Sequence, residues 1–311
     1  MPPNDKAARA RLEKLAKAGV KAGLWTRWMQ RPPHLVPALR SQPWWSKADF
    51  PWCALLERNY PAIRQEVLAL LGKPKDTFTP VGGRAAHDHT LVAAGEWREF
   101  PLFGNGQRYE DNCARCPVTT KTMECVPAAM ELSMAAGGET LFSTLKPGTH
   151  LRPHCGSTNT RLTCHLGVVI PPGCSIRAGE EWRGWKEGEC IVFDDSWEHE
   201  VQHKGRPAAV MGVDAAVNLL AALAAVAVLA ALAVLAAQHA ACYKPAHATR
   251  LMILLSSSLL SSSLLYPPLM PRALGPTGDS DRIVLLINFW HPDLPADARR
   301  IDINTHGYEA I

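Results

Sequence analysis

Two histidines, His154 and His199, lie in short segments whose composition suits metal binding. His154 is part of the run PHCG and His199 of the run FDDSWEHEV, and both runs are flanked by β-prone residues. Two imidazoles that come from different strands and face into a barrel form a usual pocket for non-haem iron. The commonest version of that pocket adds a carboxylate two residues after the first histidine, where this chain has Gly156. The glycine would leave a coordination position for water, so the metal would rest on two protein ligands and a co-substrate.

Other residues of similar chemistry compete with this pair. The competing histidines are His87, His89, His150, His203 and His291. A solvated or hydrogen-bonded histidine is the simpler interpretation of each. Cys113 and Cys116 form a C-x-x-C half-motif, but a zinc site needs a second such pair.

The surrounding sequence predicts a mainly β protein with helices at its N-terminus. Residues 1–73 read as helical, with apolar residues at helical spacing in PWCALLERNYPAIRQEVLALLG and Gly72 as the C-cap. A further short helix is predicted in TMECVPAAMEL. Between residues 139 and 205, short β-prone runs alternate with Pro-Gly, Gly-Ser and Pro-Pro-Gly, a spacing typical of an antiparallel barrel or jelly roll. The later run RIVLLINFW is continuously apolar, as expected of a strand buried on both faces.

The bulk composition excludes some classes of partner and favours one compartment. A net charge of +4 over 311 residues does not indicate nucleic-acid binding, and no basic run is interleaved with aromatic residues. The first twenty residues are charged throughout and lack the apolar core of a secretory signal. Nine scattered cysteines are then expected to be free thiols, which favours the cytoplasm.

Several runs, in the same order, resemble the aspartyl/asparaginyl β-hydroxylase family. The runs are HLVPALRSQPWWSKADFPWCALLERNYPAIRQE, GEWREFPLFGNGQRYEDNC, FSTLKPGTHLRPHCGSTNTRLTCHLGVVIP, EEWRGWKEGECIVFDDSWEHEV and RIVLLINFWHPDL. The resemblance implies a double-stranded β-helix, which is a cupin-like jelly roll. It also implies an iron(II)- and 2-oxoglutarate-dependent dioxygenase. Such an enzyme uses O₂ to hydroxylate the β-carbon of Asp or Asn in a peptide or protein, and it releases succinate and CO₂.

The resemblance also implies which residues form the site. His154 and His199 would bind iron, with Trp197 where the family has phenylalanine, and the family itself has glycine at the position of Gly156. The residues implied for the co-substrate are Trp97, Ser143, His165 and Arg282. Arg282 would bind the far carboxylate of 2-oxoglutarate through its planar two-pronged donor.

The co-substrate site departs from the family at one position. Family members can carry arginine two residues before His165, where this chain has Thr163. Arg161 is expected to supply part of the missing charge. Asp194 and Asp195 are interpreted as turn residues or as groups that orient a histidine.

Residues 206–278 are interpreted as an insertion. If Gly205 is joined directly to Asp279, Arg282 follows His199 by ten residues, which is the family's interval, so the insertion would lie within a single hairpin connection. The chain is accordingly divided into a helical region 1–73 that packs on the core and a catalytic domain 74–205 plus 279–311, interrupted by the low-complexity apolar insertion 206–278.

Three interpretations of the insertion remain open. It is a segment extraneous to the protein, a disordered or helical loop, or a membrane hairpin. The apolar run 215–237 is long enough for one crossing. One crossing would separate His199 from Arg282, and the serine-rich run 251–270 is a poor second span. Membrane association is therefore the least favoured of the three.

Two rival functions also follow from the sequence. The barrel could be a non-catalytic binding module that binds iron and 2-oxoglutarate without turnover. It could also be a cupin-type metalloenzyme that does not use 2-oxoglutarate.

Overall fold

Short strands separated by turns form two antiparallel sheets in the computed structural model, which describes residues 6–71, 77–81, 91–205 and 280–299. The strands are β1 (Trp44–Trp45), β2 (Thr79–Pro80), β3 (Val92–Ala94), β4 (Trp97–Gly104), β5 (Gln107–Arg108), β6 (Glu139–Leu145), β7 (His150–His154), β8 (Arg161–Val169), β9 (Cys174–Ala178), β10 (Glu181–Arg183), β11 (Cys190–Phe193), β12 (His199–His203) and β13 (Arg282–Trp290). The helices are α1 (Lys6–Lys21), α2 (Trp52–Leu71), α3 (Glu110–Arg115), α4 (Pro117–Glu124) and α5 (Pro127–Met134).

The strand order defines a double-stranded β-helix. The larger sheet has the order β1-β11-β8-β13-β6-β4-β2, with β5 paired to β4, and the smaller sheet has the order β10-β9-β12-β7-β3. From β6 onward the chain passes repeatedly between the sheets: β6, β8, β11 and β13 lie in the larger one and β7, β9, β10 and β12 in the smaller one. The predicted fold class, a mainly β jelly roll with N-terminal helices, is confirmed.

The prediction of a hairpin connection around the insertion is wrong. β12 pairs with β7 and β9 in the smaller sheet, whereas β13 pairs with β6 and β8 in the larger sheet. The chain therefore changes sheets between these two strands. The two ends nevertheless lie together, because the His203 Nε2 atom is 2.9 Å from the Ser280 carbonyl oxygen. The insertion itself and its apolar run 215–237 lie outside the described residues.

Apolar side chains fill the space between the sheets and cover the outer face of the larger one. Leu145 and Val284 of the larger sheet pack with Ile176, Ala178 and Val201 of the smaller sheet. On the opposite face of the larger sheet, buried residues of α2 pack on β8 and β13. The predicted RIVLLINFW strand, β13, is central in the larger sheet and buried along nearly its whole length.

The helical prediction for residues 1–73 is only partly correct. Helix α2 matches the predicted apolar spacing, but residues 22–51 contain no α-helix, and β1 joins the larger sheet beside β11. The prolines of this stretch explain the difference, since each lacks a backbone donor and disfavours helix in the preceding residue. They are Pro32, Pro33, Pro37, Pro43 and Pro51.

A second difference concerns TMECVPAAMEL. One helix was expected there, but the chain forms α4 and α5, with Pro127 as the first residue of α5. Proline is favoured at that first position, where its missing N–H needs no partner. The predicted C-cap at Gly72 lies outside the described residues. Within the part of the chain that the structure describes, no helix is both long and apolar enough to cross a membrane.

Candidate metal centre

The fold places His154 and His199 side by side. They are the last residue of β7 and the first of β12, and the antiparallel register sets them directly opposite each other. Their ring centroids are 4.0 Å apart. The two imidazoles predicted as metal ligands from positions far apart in sequence therefore meet at one point.

Backbone carbonyls set the orientation of both rings. The Nδ1 atom of His154 lies 2.7 Å from the Arg152 carbonyl oxygen, and the Nδ1 atom of His199 lies 3.0 Å from that of Trp197. A proton on Nδ1 makes these hydrogen bonds, which places the lone pair of each ring on Nε2. Burial lowers the pKa of His199 to about 4. This ring is therefore neutral at physiological pH, as a metal ligand must be.

Gly156 leaves room for a neighbouring carboxylate rather than for its own side chain. A Cβ atom at this position would lie 2.8 Å from the Asp195 Cγ atom and 2.9 Å from both carboxylate oxygens. The Gly156 N–H also donates to the Asp195 carbonyl oxygen at 2.7 Å. An aspartate or glutamate at 156 would displace Asp195, so the two-histidine arrangement is built into the local packing.

Arg282 is a buried cation with no carboxylate partner among the described residues. Its side chain is 2% exposed, and its guanidinium lies 5.0 Å above the Trp185 ring. The Nε and Nη1 atoms have no hydrogen-bond partner in the described part of the chain. Burial lowers the pKa of Arg282 to about 10, which leaves it charged at neutral pH. A buried charge of this kind calls for an anionic ligand.

His165 presents a second donor of the same kind. Its Nδ1 atom accepts a hydrogen bond from Trp185 Nε1 at 3.3 Å, which assigns the ring proton to Nε2. The Nε2 atom has no hydrogen-bond partner among the described residues. Burial, followed by the charge of Arg282 and the proximity of His199, holds the pKa of His165 well below its usual range. His165 is therefore a neutral imidazole with an N–H available to a ligand.

Trp97 and Ser143 complete this end of the cavity. The register aligns Trp97 with Leu145 across β4 and β6, and Leu145 with Arg282 across β6 and β13. Trp97 Nε1 donates to Ser143 Oγ at 3.0 Å. Because this oxygen already accepts a hydrogen bond, its own proton can be donated to a bound anion.

Shared neighbours inside the barrel link the histidine pair to the Arg282 end. Phe193 lies between them, with its ring centroid 5.0 Å from His165 and 5.8 Å from His199. A ligand with an acidic group at each end suits a site that has paired imidazoles at one end and a guanidinium at the other. The donor set fits both predicted groups: neutral imidazole nitrogens for iron(II), and a guanidinium, a hydroxyl and an imidazole N–H for a dicarboxylate.

Arg161 lies elsewhere. It pairs with Trp290 at the end of β13 opposite to Arg282, and its Nη2 atom contacts the Asp195 carboxylate at 3.2 Å. The Arg161 guanidinium therefore interacts with Asp195 and lies far from the Arg282 guanidinium. Thr163 accepts a hydrogen bond from Asn288 Nδ2 at 2.9 Å, so this position contributes no charge either.

A network of buried charges braces the strand that carries His199. The Glu198 carboxylate is fully buried and pairs with Arg9 of α1, with Arg31 and with Arg177 of β9. Burial acts to raise the pKa of Glu198, but hydrogen bonds from Arg31 and Arg9 outweigh it and lower the pKa to about 2. Arg177 also contacts Glu200 at 3.0 Å. Both neighbours of His199 are thus held against β9.

The competing histidines that the structure describes are engaged elsewhere. His150 pairs with Glu200 at 2.8 Å, His203 contacts the Ser280 carbonyl, and His291 contacts the Arg40 carbonyl at 2.9 Å. His87 and His89 lie outside the described residues. Asp194 is a turn residue, since its Oδ1 atom accepts from the Ser196 N–H at 2.9 Å, and burial raises its pKa to about 8.

Sequence reasoning did not identify Trp185 or Phe193 as residues of the site. It named Asp195, but it did not predict the contact between Asp195 and Gly156. Trp185 could have been suspected from the tryptophans of EEWRGW, but nothing local indicates that it stacks on an arginine almost one hundred residues later. The eight cysteines that the structure describes are free thiols, as predicted.

Comparison with known proteins identifies a family for part of this chain. The model of the family described as "Aspartyl/Asparaginyl beta-hydroxylase" matches residues 57–211. A human aspartyl/asparaginyl beta-hydroxylase is 40% identical over 189 residues, covering 60% of this chain and 23% of the human protein. An ornithine lipid ester-linked acyl 2-hydroxylase of Rhizobium tropici is 33% identical over 182 residues, covering 57% of this chain and 61% of that protein.

The matched region is thus a minor part of the human protein. Among solved structures, a Pseudomonas putida prolyl-4-hydroxylase aligns with 49% of this chain and 92% of that chain at 12% identity and a TM-score of 0.33. The strand order described above, and not this weak similarity, defines the fold. From the family match and the relatives that share its sequence, we conclude that residues 57–211 of this chain belong to the aspartyl/asparaginyl β-hydroxylase family.

Proposed function

We propose that this protein is an iron(II)- and 2-oxoglutarate-dependent dioxygenase that hydroxylates the β-carbon of an Asp or Asn residue in a peptide or protein. One observation carries the proposal: two imidazoles that present Nε2 lone pairs are linked, through His165 and Phe193, to a buried guanidinium that has no carboxylate partner among the described residues. Membership of the family supports it. The name of the human relative supports the choice of substrate.

The residues have separable tasks. His154 and His199 would hold iron(II) through Nε2. Arg282 would bind the far carboxylate of 2-oxoglutarate with Nε and Nη1, and Ser143 would donate its hydroxyl proton to the same group. When bound, iron(II) would supply the site at which O₂ oxidises 2-oxoglutarate to succinate and CO₂, and with it the oxidising power for hydroxylation.

The surrounding residues orient these donors and exclude water. Trp185 fixes the tautomer of His165 by donating to its Nδ1 atom. The proton of His165 is therefore on Nε2, where it can be donated to a ligand. Trp185, Phe193 and Trp97 line the cavity with rings, which lowers the local dielectric and strengthens the contact between Arg282 and a carboxylate. Glu198 and Arg177 hold β12 in register, which keeps His199 opposite His154.

Succinate formation from 2-oxoglutarate tests the proposal directly. With iron(II) and O₂ present, His154→Ala and His199→Ala should each lose activity on the order of a thousandfold or more, because each removes a metal ligand. His150→Ala is the matched control, since it removes a histidine of the same strand that pairs with Glu200. Full activity in His199→Ala would refute the metal site.

A mass-spectrometric substrate search separates the remaining alternatives. A peptide that contains Asp or Asn should gain the mass of one oxygen atom on that residue. Gain of oxygen by the acyl chain of a lipid, as the name of the Rhizobium relative suggests for that protein, would instead reject the peptide assignment. Stabilisation by iron and 2-oxoglutarate without succinate release would indicate a binding module. No stabilisation by 2-oxoglutarate would indicate a cupin enzyme of another type.

A further inference from the structure

Three cysteines from distant parts of the chain meet behind the cavity. Cys53 lies on α2, Cys164 on β8 and Cys190 on β11, and their Sγ atoms all lie within 4.8 Å of one another. Their exposures are 2%, 0% and 4%. Within the described residues, this is the only group of three His, Cys, Asp or Glu donors close enough to share one metal ion.

The cluster is separate from the histidine pair. Cys164 precedes His165 on β8, so their side chains point to opposite faces of the larger sheet. Cys164 packs with α2 in the apolar cluster that covers the outer face, whereas His165 faces Trp185 and Arg282. A ligand bound by the three sulfurs would therefore not occupy the co-substrate cavity.

The surroundings of the thiols carry no net charge. One ion pair adjoins the cluster: the Glu57 Oε1 atom accepts from Lys47 Nζ at 2.7 Å and from the Cys190 N–H at 2.8 Å. The remaining neighbours are apolar side chains of the core. Burial of a net charge at this place would be costly, so a bound ion should neutralise the thiolates that hold it.

We propose that Cys53, Cys164 and Cys190 form a buried site for a thiophilic trivalent ion of the arsenic(III) class. Arsenous acid would exchange three As–O bonds for three As–S bonds, while the three thiol protons leave with its hydroxyl groups as three water molecules. The exchange needs no oxidant or reductant, and the product is uncharged. Zinc(II) held by three thiolates would leave one net negative charge in the core.

The spacing suits such a complex. Arsenic(III) keeps a lone pair, so its three bonds to sulfur are pyramidal, and bonds of about 2.3 Å place the three sulfurs roughly 3.5 Å apart. Thiols that already lie within 4.8 Å of one another need only small side-chain rotations to reach this arrangement. The buried position predicts slow entry, because α2 must move away from the sheet before an ion can pass.

The test uses the full chain incubated with arsenite, followed by gel filtration and native mass spectrometry. We expect one arsenic atom per chain, and loss of most of it in Cys53→Ala, Cys164→Ala and Cys190→Ala. The double variant Cys113→Ala/Cys116→Ala is the matched control and should retain it, since these thiols are also buried but are not among the three sulfurs that lie close together. Retention in the His154→Ala/His199→Ala double variant would exclude the histidine pair as the binding site.

A measurement on the unmodified protein covers the case in which a cysteine variant fails to fold. Arsenite-treated and untreated protein is alkylated in the folded state, for long enough that the buried thiols of the untreated protein react, and the labelled cysteines are then mapped. Selective protection of Cys53, Cys164 and Cys190 is expected. No bound arsenic, protection of a different set of thiols, or displacement of arsenic by equimolar zinc(II) would overturn the proposal.

Discussion

The two faces of β8 differ in what they leave unsatisfied. Leu162, Cys164 and Leu166 face α2 and pack in the apolar cluster on the outer side of the larger sheet. On the inner side, His165 and neighbouring Arg282 keep buried N–H groups without partners among the described residues. The outer face of β8 thus belongs to an apolar core that needs no ligand. Its inner face lies beside N–H groups that only a ligand would pair.

The comparison teaches how to separate structural from functional burial. Both faces are hidden from water, so exposure does not distinguish them. What distinguishes the two faces of β8 is whether their polar groups are hydrogen-bonded, because leaving such groups unpaired in the interior costs free energy. Substitutions on the inner face should therefore change co-substrate binding, and substitutions on the outer face should change stability.

Arg282→Met should show the largest effect. We expect the KM for 2-oxoglutarate to rise about a hundredfold or more, since loss of one partner of a buried charge pair costs roughly 2–5 kcal/mol. In the absence of ligands, the same variant should unfold at a higher temperature, because it removes a buried charge that has no partner among the described residues. The KM of Arg282→Lys should lie between that of the unmodified protein and that of Arg282→Met. An unchanged KM with reduced stability would place Arg282 among purely structural residues.

Leu166→Ala tests the outer face. Leu166 is fully buried, so its truncation should lower the free energy of unfolding by about 2–5 kcal/mol, as measured by denaturant titration. The KM for 2-oxoglutarate should stay close to that of the unmodified protein. Leu68→Ala on the partly exposed side of α2 is the control and should cost about 0.5 kcal/mol or less. A large change in the KM for 2-oxoglutarate in Leu166→Ala would contradict the claim that the outer face affects stability alone.

Glu198→Gln contrasts a buried charge that is paired with the unpaired Arg282. The folded-state pKa of about 2 lies below the usual value of about 4.3, so ionised Glu198 stabilises the fold above about pH 4.5. This stabilisation, about 3 kcal/mol at most, should disappear as the pH falls from about 4.5 to 2. Glu198→Gln should be less stable at neutral pH and should show a flatter acid titration. Parallel pH profiles of the two proteins would contradict this account.

Ser143→Ala should have the smallest effect. Loss of one hydroxyl donor should raise the KM for 2-oxoglutarate by about twofold to tenfold, with little change in kcat. Thr144→Val is the matched control, because Thr144 is also buried on β6 and its hydroxyl has no hydrogen-bond partner among the described residues. It should leave KM unchanged and stability equal or higher. Equal KM changes in both variants would show that the strand, and not the hydroxyl, is responsible.

Local patterns in the sequence determined the strands and the chemical groups. Turn residues at regular intervals predicted the jelly roll, and the runs PHCG and FDDSWEHEV identified His154 and His199. Arg282 was found only because the family interval could be counted across the insertion. These signals depend on residues close together in the chain, which is why they were readable. The helical prediction failed for residues 22–51, because prolines outweighed the apolar spacing there.

Tertiary structure alone decided which distant residues meet. The sheets, and not the chain order, separate β12 from β13 and bring Trp185 under Arg282, Asp195 against Gly156, and Cys53 beside Cys164. Each of these contacts joins elements through packing of the whole barrel, and no local spacing encodes such a contact. The sequence therefore specified the donors of the candidate site, whereas the packing of two sheets and a helix decided which donors share a cavity and which are buried behind it.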